Sequence, residues 1–465
     1  MSATERVETA AAEECEELTL ERIQHMLEHR QFKELKEELE NNMYPVDLAD
    51  ILTEVDEKQL VLIFRLLVKE EAAETFAYMN SDLRELLINA LTDSELEEVM
   101  EEMYLDDTVD VLEEMPANVV DRLLMATDEE KRVLINQLLQ YPEDSAGSVM
   151  TAEYVGLKKQ MTVEEAFAYI RKYGVDKETI YTCYVMDEKR RLEGVVTVKD
   201  LLMNPYDTVL GDIMDVHVIK AYTTEDREEV VDTFNEYSLL SLPVVDKENR
   251  LVGIITVDDV MDVMEQEATE DFEKMAAMLP SEKPYLKTSV FQLAKNRLPW
   301  LMILMVSSMV TGGILLKYEN AFAAIPLLVT FVPMLMDTGG NSGSQASTMI
   351  IRGMAVGEVE PSDIMKVVWK ELRVGVLCGV GLALVNFIRL MLQYPGQLMI
   401  CLTVVMSIFF TVIIAKTIGC TLPILAKVIH LDPAIMAAPM ITTIVDACSL
   451  MIYFQLACRL LGLLG

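Results

Sequence analysis

"AAPMITTIVDACSLMIYF", residues 437–454, places one carboxylate, Asp446, in a stretch otherwise suited to hydrocarbon. The uncharged run around it extends from Pro433 to Ala457, 25 residues of which Asp446 is the fourteenth, so a membrane helix here carries the acid near mid-depth. A charge at that depth costs roughly 2.5–3.5 kcal/mol on insertion scales and requires something to offset it.

Four more apolar runs lie upstream. Leu298 to Leu316, Ala321 to Met336 as the opening of a second span, Val374 to about Leu392, and Leu398 to about Ala426 complete a predicted set of five membrane helices. Basic residues fix the expected orientation. Lys283, Lys287, Lys295 and Arg297 precede the first span, Arg352, Lys366, Lys370 and Arg373 separate the second from the third, and Lys427 lies between the last two. Only Lys317, Arg389 and Arg459 fall on the other side. The amino terminus is therefore expected in the cytoplasm and the carboxyl terminus outside, in a multi-pass cell-membrane protein. "MSATERVETAAAEECEEL" has no apolar signal core, in keeping with that.

The two halves of the 465-residue chain differ sharply in charge: residues 1–280 carry a net −41 and residues 281–465 a net +4. So acidic a soluble half excludes nucleic acid as a partner and suits a cation. Seven cysteines without a CxxC pair signal neither a disulfide framework nor a zinc site.

Within the acidic half, pieces such as "DLADILTEV", "SELEEVMEEM" and "DVLEEMPANVVDRLL" repeat Leu or Val at three- and four-residue intervals between short breaks, which predicts a stacked helical superhelix. His25 and His29 are one helical turn apart, but without a third ligand they read as an exposed face. An internal repeat follows. "CYVMDEKRRLEGVVTVKDLL" (183–202) and "LPVVDKENRLVGIITVDDVM" (242–261) align at a constant offset, with Asp187 over Asp246, Gly194 over Gly253, Thr197 over Thr256 and Asp200 over Asp259. Each copy reads as strand, turn, strand, helix, and the pair resembles tandem cystathionine-β-synthase-type (CBS) domains, modules that bind adenine nucleotides or metal. Thr197, Asp200, Thr256 and Asp259 stand where such modules make nucleotide contacts, possible sites for ATP, although a strand-to-helix cap explains the same residues.

The predicted architecture is thus multidomain. An all-α acidic helical domain (1–135) is followed by the α/β CBS pair (136–265), a connecting helix (266–296) and a five-helix transmembrane domain (297–465).

In "PMLMDTGGNSGSQASTMIIRG" (333–353), eleven residues from Asp337 to Ser347 include no large apolar side chain. Small residues let helices approach and expose carbonyls and hydroxyls to a wet path. No Lys-Ser/Thr follows and no strand precedes, which argues against a phosphate loop. Asp446 has two readings: a carboxylate hydrogen-bonded to Thr442, Thr443 or Asn386, or paired with Lys416, that joins helices; or an unpaired acid that meets a cation. Oxygen-only surroundings suit a hard ion such as Mg²⁺ or Ca²⁺. No soluble-enzyme motif and no intramembrane protease signature stands out.

With "YPEDSAGSVMT" (141–151), "EATEDFEKM" (267–275), "GGNSGSQAS" (339–347) and "DPAIMAAPMITTIVDACSLMIYF" (432–454), the whole chain resembles the MgtE family of magnesium channels and transporters. That resemblance implies a homodimeric Mg²⁺-selective channel in the lipid bilayer, not an enzyme. Asp446 would match the pore acid, with Gly340, Asn341 and Thr442 lining the same path. It also implies regulatory Mg²⁺ held by Glu74, Asp106 and Asp110, by Asp226, Glu228, Asp259 and Asp262, and by Glu267, Glu270 and Asp271 on the connecting helix. A proton- or sodium-coupled carrier and a non-conducting divalent or nucleotide sensor are the alternatives.

Overall fold

A computed structural model describes residues 20–281, 285–286, 288–319, 323, 325–436 and 438–462, without the side chains of Glu130 and Ala438. Ala321, where the second apolar run begins, and Lys283 and Lys287 of the orientation argument lie outside the described residues. The chain divides into two compact units, residues 1–264 and 265–465.

The first unit opens with the predicted superhelix, and its regularity is sharper than the apolar spacing alone suggested. Helices begin at Pro45, Glu57, Lys69, Ser81, Asp93, Leu105, Ala117 and Glu129, one every 12 residues. One buried position recurs with the same period through Ile63, Thr75, Leu87, Val99, Val111, Leu123 and Ile135. A helix of eight to ten residues is too short to be stable alone, so this shared core supplies the stability. Basic side chains fasten the stack by meeting carbonyls at the ends of other helices, where the helix dipole favours a cation. Arg84 Nε donates to Phe76 O at 3.1 Å, Arg122 Nη2 to Leu91 O at 2.8 Å and Lys131 Nζ to Met100 O at 2.8 Å.

Two three-stranded sheets follow. In the first, β1 (Tyr154–Lys158) runs parallel to β2 (Thr179–Met186), and β2 pairs antiparallel with β3 (Leu192–Thr197). The second repeats this arrangement with β4 (Ala221–Tyr222), β5 (Ser241–Val245) and β6 (Leu251–Thr256). Registers correspond residue for residue: Thr182 faces Thr197 as Ser241 faces Thr256. The aligned aspartates make the turns, Asp187 accepting from Lys189 N and Arg191 N, and Asp246 from Glu248 N and Arg250 N. Each repeat's entry segment pairs with the other repeat's sheet, Thr151 with Ile254 and Asp215 with Val195. The aligned glycines permit that crossing. A Cβ on Gly194 would meet Asp215 O at 2.9 Å, and one on Gly253 would meet Thr151 O at 2.6 Å.

A continuous helix, Val257–Met275, leads from the last strand. It starts earlier than the expected connecting helix and stops at Met275, with Ala277 in the left-handed region (φ 53°). Among its described residues the second unit then has five long helices, Val290–Lys317, Val332–Ala355, Ile364–Gln393, Leu398–Val428 and Ala438–Leu460. Four of these segments are long and apolar enough to cross a membrane; Val332–Ala355 is long enough but more polar. Its placement corrects the sequence reading of the second span. The run expected to open it contains a 3-10 turn over Pro326–Phe331, the α-helix begins at Val332, and the Gly- and Ser-rich stretch forms its middle. Helix propensity alone disfavours so many small residues. Packing overrides it: a Cβ on Gly419 would lie 2.2 Å from Gly343 O, so the two helix backbones touch there.

Candidate metal centre and ion path

Three predicted acids of the first unit converge. Asp106 and Asp110 are one turn apart on the helix Leu105–Glu114, and Asp259, in the first turn of Val257–Met275, adds its charge to the effect of burial on both. Two further acids that the sequence did not reveal complete the centre. Glu153, just before β1, accepts from Leu105 N at 3.2 Å, and Glu178, just before β2, donates its backbone N–H to Glu153 O at 2.9 Å. Asp106, Glu153 and Glu178 each offer an oxygen within 4.8 Å of the others. Glu178 Oε2 is buried without a hydrogen-bond partner. An all-carboxylate donor set with an orphaned oxygen fits a hard divalent ion.

Electrostatics give the same result. Burial raises the carboxyl of Asp106 well above its usual range, helped by Asp259 and Glu178. Burial and the charges of Asp259 and Asp107 push Asp110 up to about 7. Glu178 is pushed up to about 8 by burial and by Asp259. Raised carboxyls hold protons in the folded state that the unfolded chain has already released, so stability falls as pH climbs from about 4 towards 8. After screening, about 2 kcal/mol is at stake, or about 4–8 °C in the melting temperature. The soluble-unit transition of the full chain, followed by calorimetry without divalent ions, should therefore drop by that amount between pH 5 and pH 8. Millimolar Mg²⁺ at pH 8 should restore it; an unchanged transition would contradict the site.

Glu74 and Asp262 act together with Asp107 and Asp258 on the hydroxyl of the exposed Tyr78, whose pKa is raised by partial desolvation first and then by these four charges. Asp226 caps the helix Arg227–Tyr237 by accepting from Glu228 N at 2.9 Å, and it borders a surface groove with Glu113, Glu143 and Asp144. Among the described residues, the carboxylates that meet within 4.8 Å are Asp106, Glu153 and Glu178, without Asp226 or Glu228. The Thr-Asp pairs of the two repeats form helix caps, Thr197 Oγ1 donating to Asp200 Oδ2 at 2.5 Å and Thr256 Oγ1 to Asp259 Oδ2 at 2.6 Å.

In the second unit, Glu267, Glu270 and Asp271 lie on the last turns of Val257–Met275. Glu270 already has a cation: Lys274 Nζ sits 2.7 Å from Glu270 Oε1 and 2.7 Å from Asp432 Oδ2. Burial and the Asp432 charge raise the carboxyl of Asp271. Neither Lys274 nor Asp432 was singled out from the sequence.

The membrane helices bring the pore candidates together. Gly340 packs on Thr442, where a Cβ would lie 2.9 Å from the threonine methyl. Asn341 is exposed on the same helix, and Asp446, half-buried, is one turn beyond Thr442. Among the described residues, none of the partners the sequence offered Asp446 bonds to it. Thr442 and Thr443 hydroxyls donate to Pro439 O at 2.9 and 3.0 Å. Asn386 Oδ1 accepts from Arg389 Nε at 3.0 Å, and Lys416 Nζ lies 3.9 Å from Glu371 Oε2. Among the described residues, no hydrogen bond or ion pair reaches the Asp446 carboxylate. The carboxylate whose charge acts on it is Asp337, on the helix Val332–Ala355.

Comparisons with known proteins cover each part of the chain. Residues 332–456 match the family model described as MgtE, divalent cation transporter; residues 43–144 match the MgtE intracellular N domain; residues 146–206 and 210–266 match the CBS domain. The magnesium transporter MgtE of Thermus thermophilus is 36% identical over 443 residues, covering 94% of this chain and 98% of that protein. That of Bacillus subtilis is 32% identical over 432 residues, covering 92% and 93%. A crystal structure of the soluble part of a magnesium transporter superposes with TM-score 0.52 at 30% identity, covering 54% of this chain and 99% of the solved one.

Proposed function

Given that the chain belongs to the MgtE family of magnesium transporters, we propose that it is a homodimeric Mg²⁺-selective channel that admits the ion down its gradient and is closed by cytoplasmic Mg²⁺. The observation that carries this is Asp446, a mid-helix carboxylate to which no hydrogen bond or ion pair runs among the described residues. Such an acid is stabilised by a passing cation. Mg²⁺ sheds water reluctantly, so a carboxylate from each protomer at a twofold axis can hold it through its hydration shell without a full protein cage. Gly340, Asn341 and Thr442 line that path, and the terminus that carries the acidic unit faces the cytoplasm.

Regulation rests on the acidic centre. Without a divalent ion, Asp106, Asp110, Glu153, Glu178 and Asp259 cannot all be ionised together at neutral pH; a bound ion favours their charged forms, bridges them and draws together the helices bearing them. The unfilled oxygen of Glu178 supports this reading. Reversal potentials separate a channel from a coupled carrier. In a Mg²⁺ gradient the current of the reconstituted protein should reverse at the Mg²⁺ equilibrium potential and stay there when pH or sodium is changed. A reversal that moves with either ion would establish coupling, and no current and no uptake would leave a sensor.

A further inference from the structure

Lys274 is the one basic residue on the acidic face of the connecting helix's last turns, and its ammonium is shared equally by two carboxylates of different elements. Glu270 lies one turn earlier on its own helix. Asp432 opens the 3-10 turn Pro433–Met436 and caps it by accepting from Ala434 N at 2.7 Å. That turn is itself held to the Gly- and Ser-rich helix, since Ser347 Oγ donates to Met436 O at 2.9 Å, and it leads directly into the helix that carries Asp446. Beyond Met275 the chain is tied to the first membrane helix as well. Leu279 N donates to Asn296 O at 3.0 Å, Asn296 Nδ2 to Pro280 O at 3.3 Å, and Glu273 accepts from Ser281 N at 2.7 Å.

We propose that Lys274 is a positioning residue, a tethered cation that fastens the end of the connecting helix to the entry turn of the Asp446 helix and so sets how readily the closed path forms. This rests on the reading of a channel closed by cytoplasmic Mg²⁺. The chemistry is that of a divalent bridge with the metal replaced by an ammonium: one positive group joins two carboxylates, half-buried where solvent screens it little. Glu270 therefore acts through Lys274 and Asp432 and not as an open ligand for a free ion. Because the ammonium belongs to the chain, this junction is fastened at any Mg²⁺ concentration, and the gating ions act at the acidic centre upstream.

The test uses the full-length protein in proteoliposomes, with Mg²⁺ uptake measured against internal Mg²⁺. Lys274→Gln should raise the half-inhibiting internal Mg²⁺ about tenfold, the equivalent of one lost charge-assisted contact, while uptake at low internal Mg²⁺ stays at the wild-type level. Asp432→Asn, which keeps the turn's cap, should shift it similarly, and the double variant no further than either alone, because the two remove one interaction. Lys274→Arg should retain the wild-type midpoint. Amide exchange of residues 275–281 in Mg²⁺-free buffer gives a readout independent of flux, faster in both single variants. Unshifted midpoints with wild-type exchange, or shifts that add in the double variant, overturn the latch while leaving Mg²⁺ gating intact. A wild type indifferent to internal Mg²⁺ overturns the gating reading and the latch with it.

Discussion

Lys416→Met is expected to destabilise the membrane unit by about 3–5 kcal/mol. Lys416 is 5% exposed on the helix Leu398–Val428, and its partner Glu371, on Ile364–Gln393, has one oxygen without a hydrogen bond. Removing the ammonium strands that carboxylate among apolar helices, where no water compensates. The pair itself contributes little net stability, because desolvating both ions offsets most of their attraction. Lys416→Met with Glu371→Leu should therefore recover most of what Lys416→Met loses. Thermal unfolding of the purified proteins in detergent checks both; a single variant as stable as wild type would show that the pair is solvated in the assembled protein.

The larger functional effect is expected at Asp446. A carboxylate and a divalent ion about 5 Å apart, with water between them, attract by about 7 kcal/mol at an effective dielectric near 20. Even half of that corresponds to roughly two decades in occupancy. Asp446→Ala should therefore abolish Mg²⁺ uptake and leave folding intact, since the carboxylate bonds to no other group among the described residues. Asp446→Asn, of the same shape without charge, should fail likewise.

What the sequence disclosed and what it concealed follow from where each signal resides. The CBS repeat was legible because its two copies carry the same turn aspartates, caps and close-approach glycines at one offset, and the structure gives each a matching role. Chemistry does not repeat along the helical domain, only length does, so its 12-residue period is visible in the buried positions and not in any motif. Glu153 and Glu178 escaped notice because both precede strands, far apart in the chain, and only the fold brings them to Asp106. Isolated acids beside β1 and β2, facing an apolar pattern that leaves them no solvated helix face, were the available signal. Hydropathy misplaced the second span for a physical reason. Glycine and serine lower the apparent apolarity of the segment that packs most tightly against its neighbours. As for Asp446, the residue stood out in the sequence, but its candidate partners did not reveal their own bonds: Lys416 turns to Glu371, and the threonines turn back to Pro439.

The most direct measurement is Mg²⁺ uptake into vesicles containing an internal fluorescent indicator, recorded side by side for wild type and Asp446→Ala at equal amounts of monodisperse protein. Rapid uptake by the wild type and a signal indistinguishable from empty vesicles for the variant is the predicted result. Uptake by Asp446→Ala at a rate near that of the wild type would contradict the account.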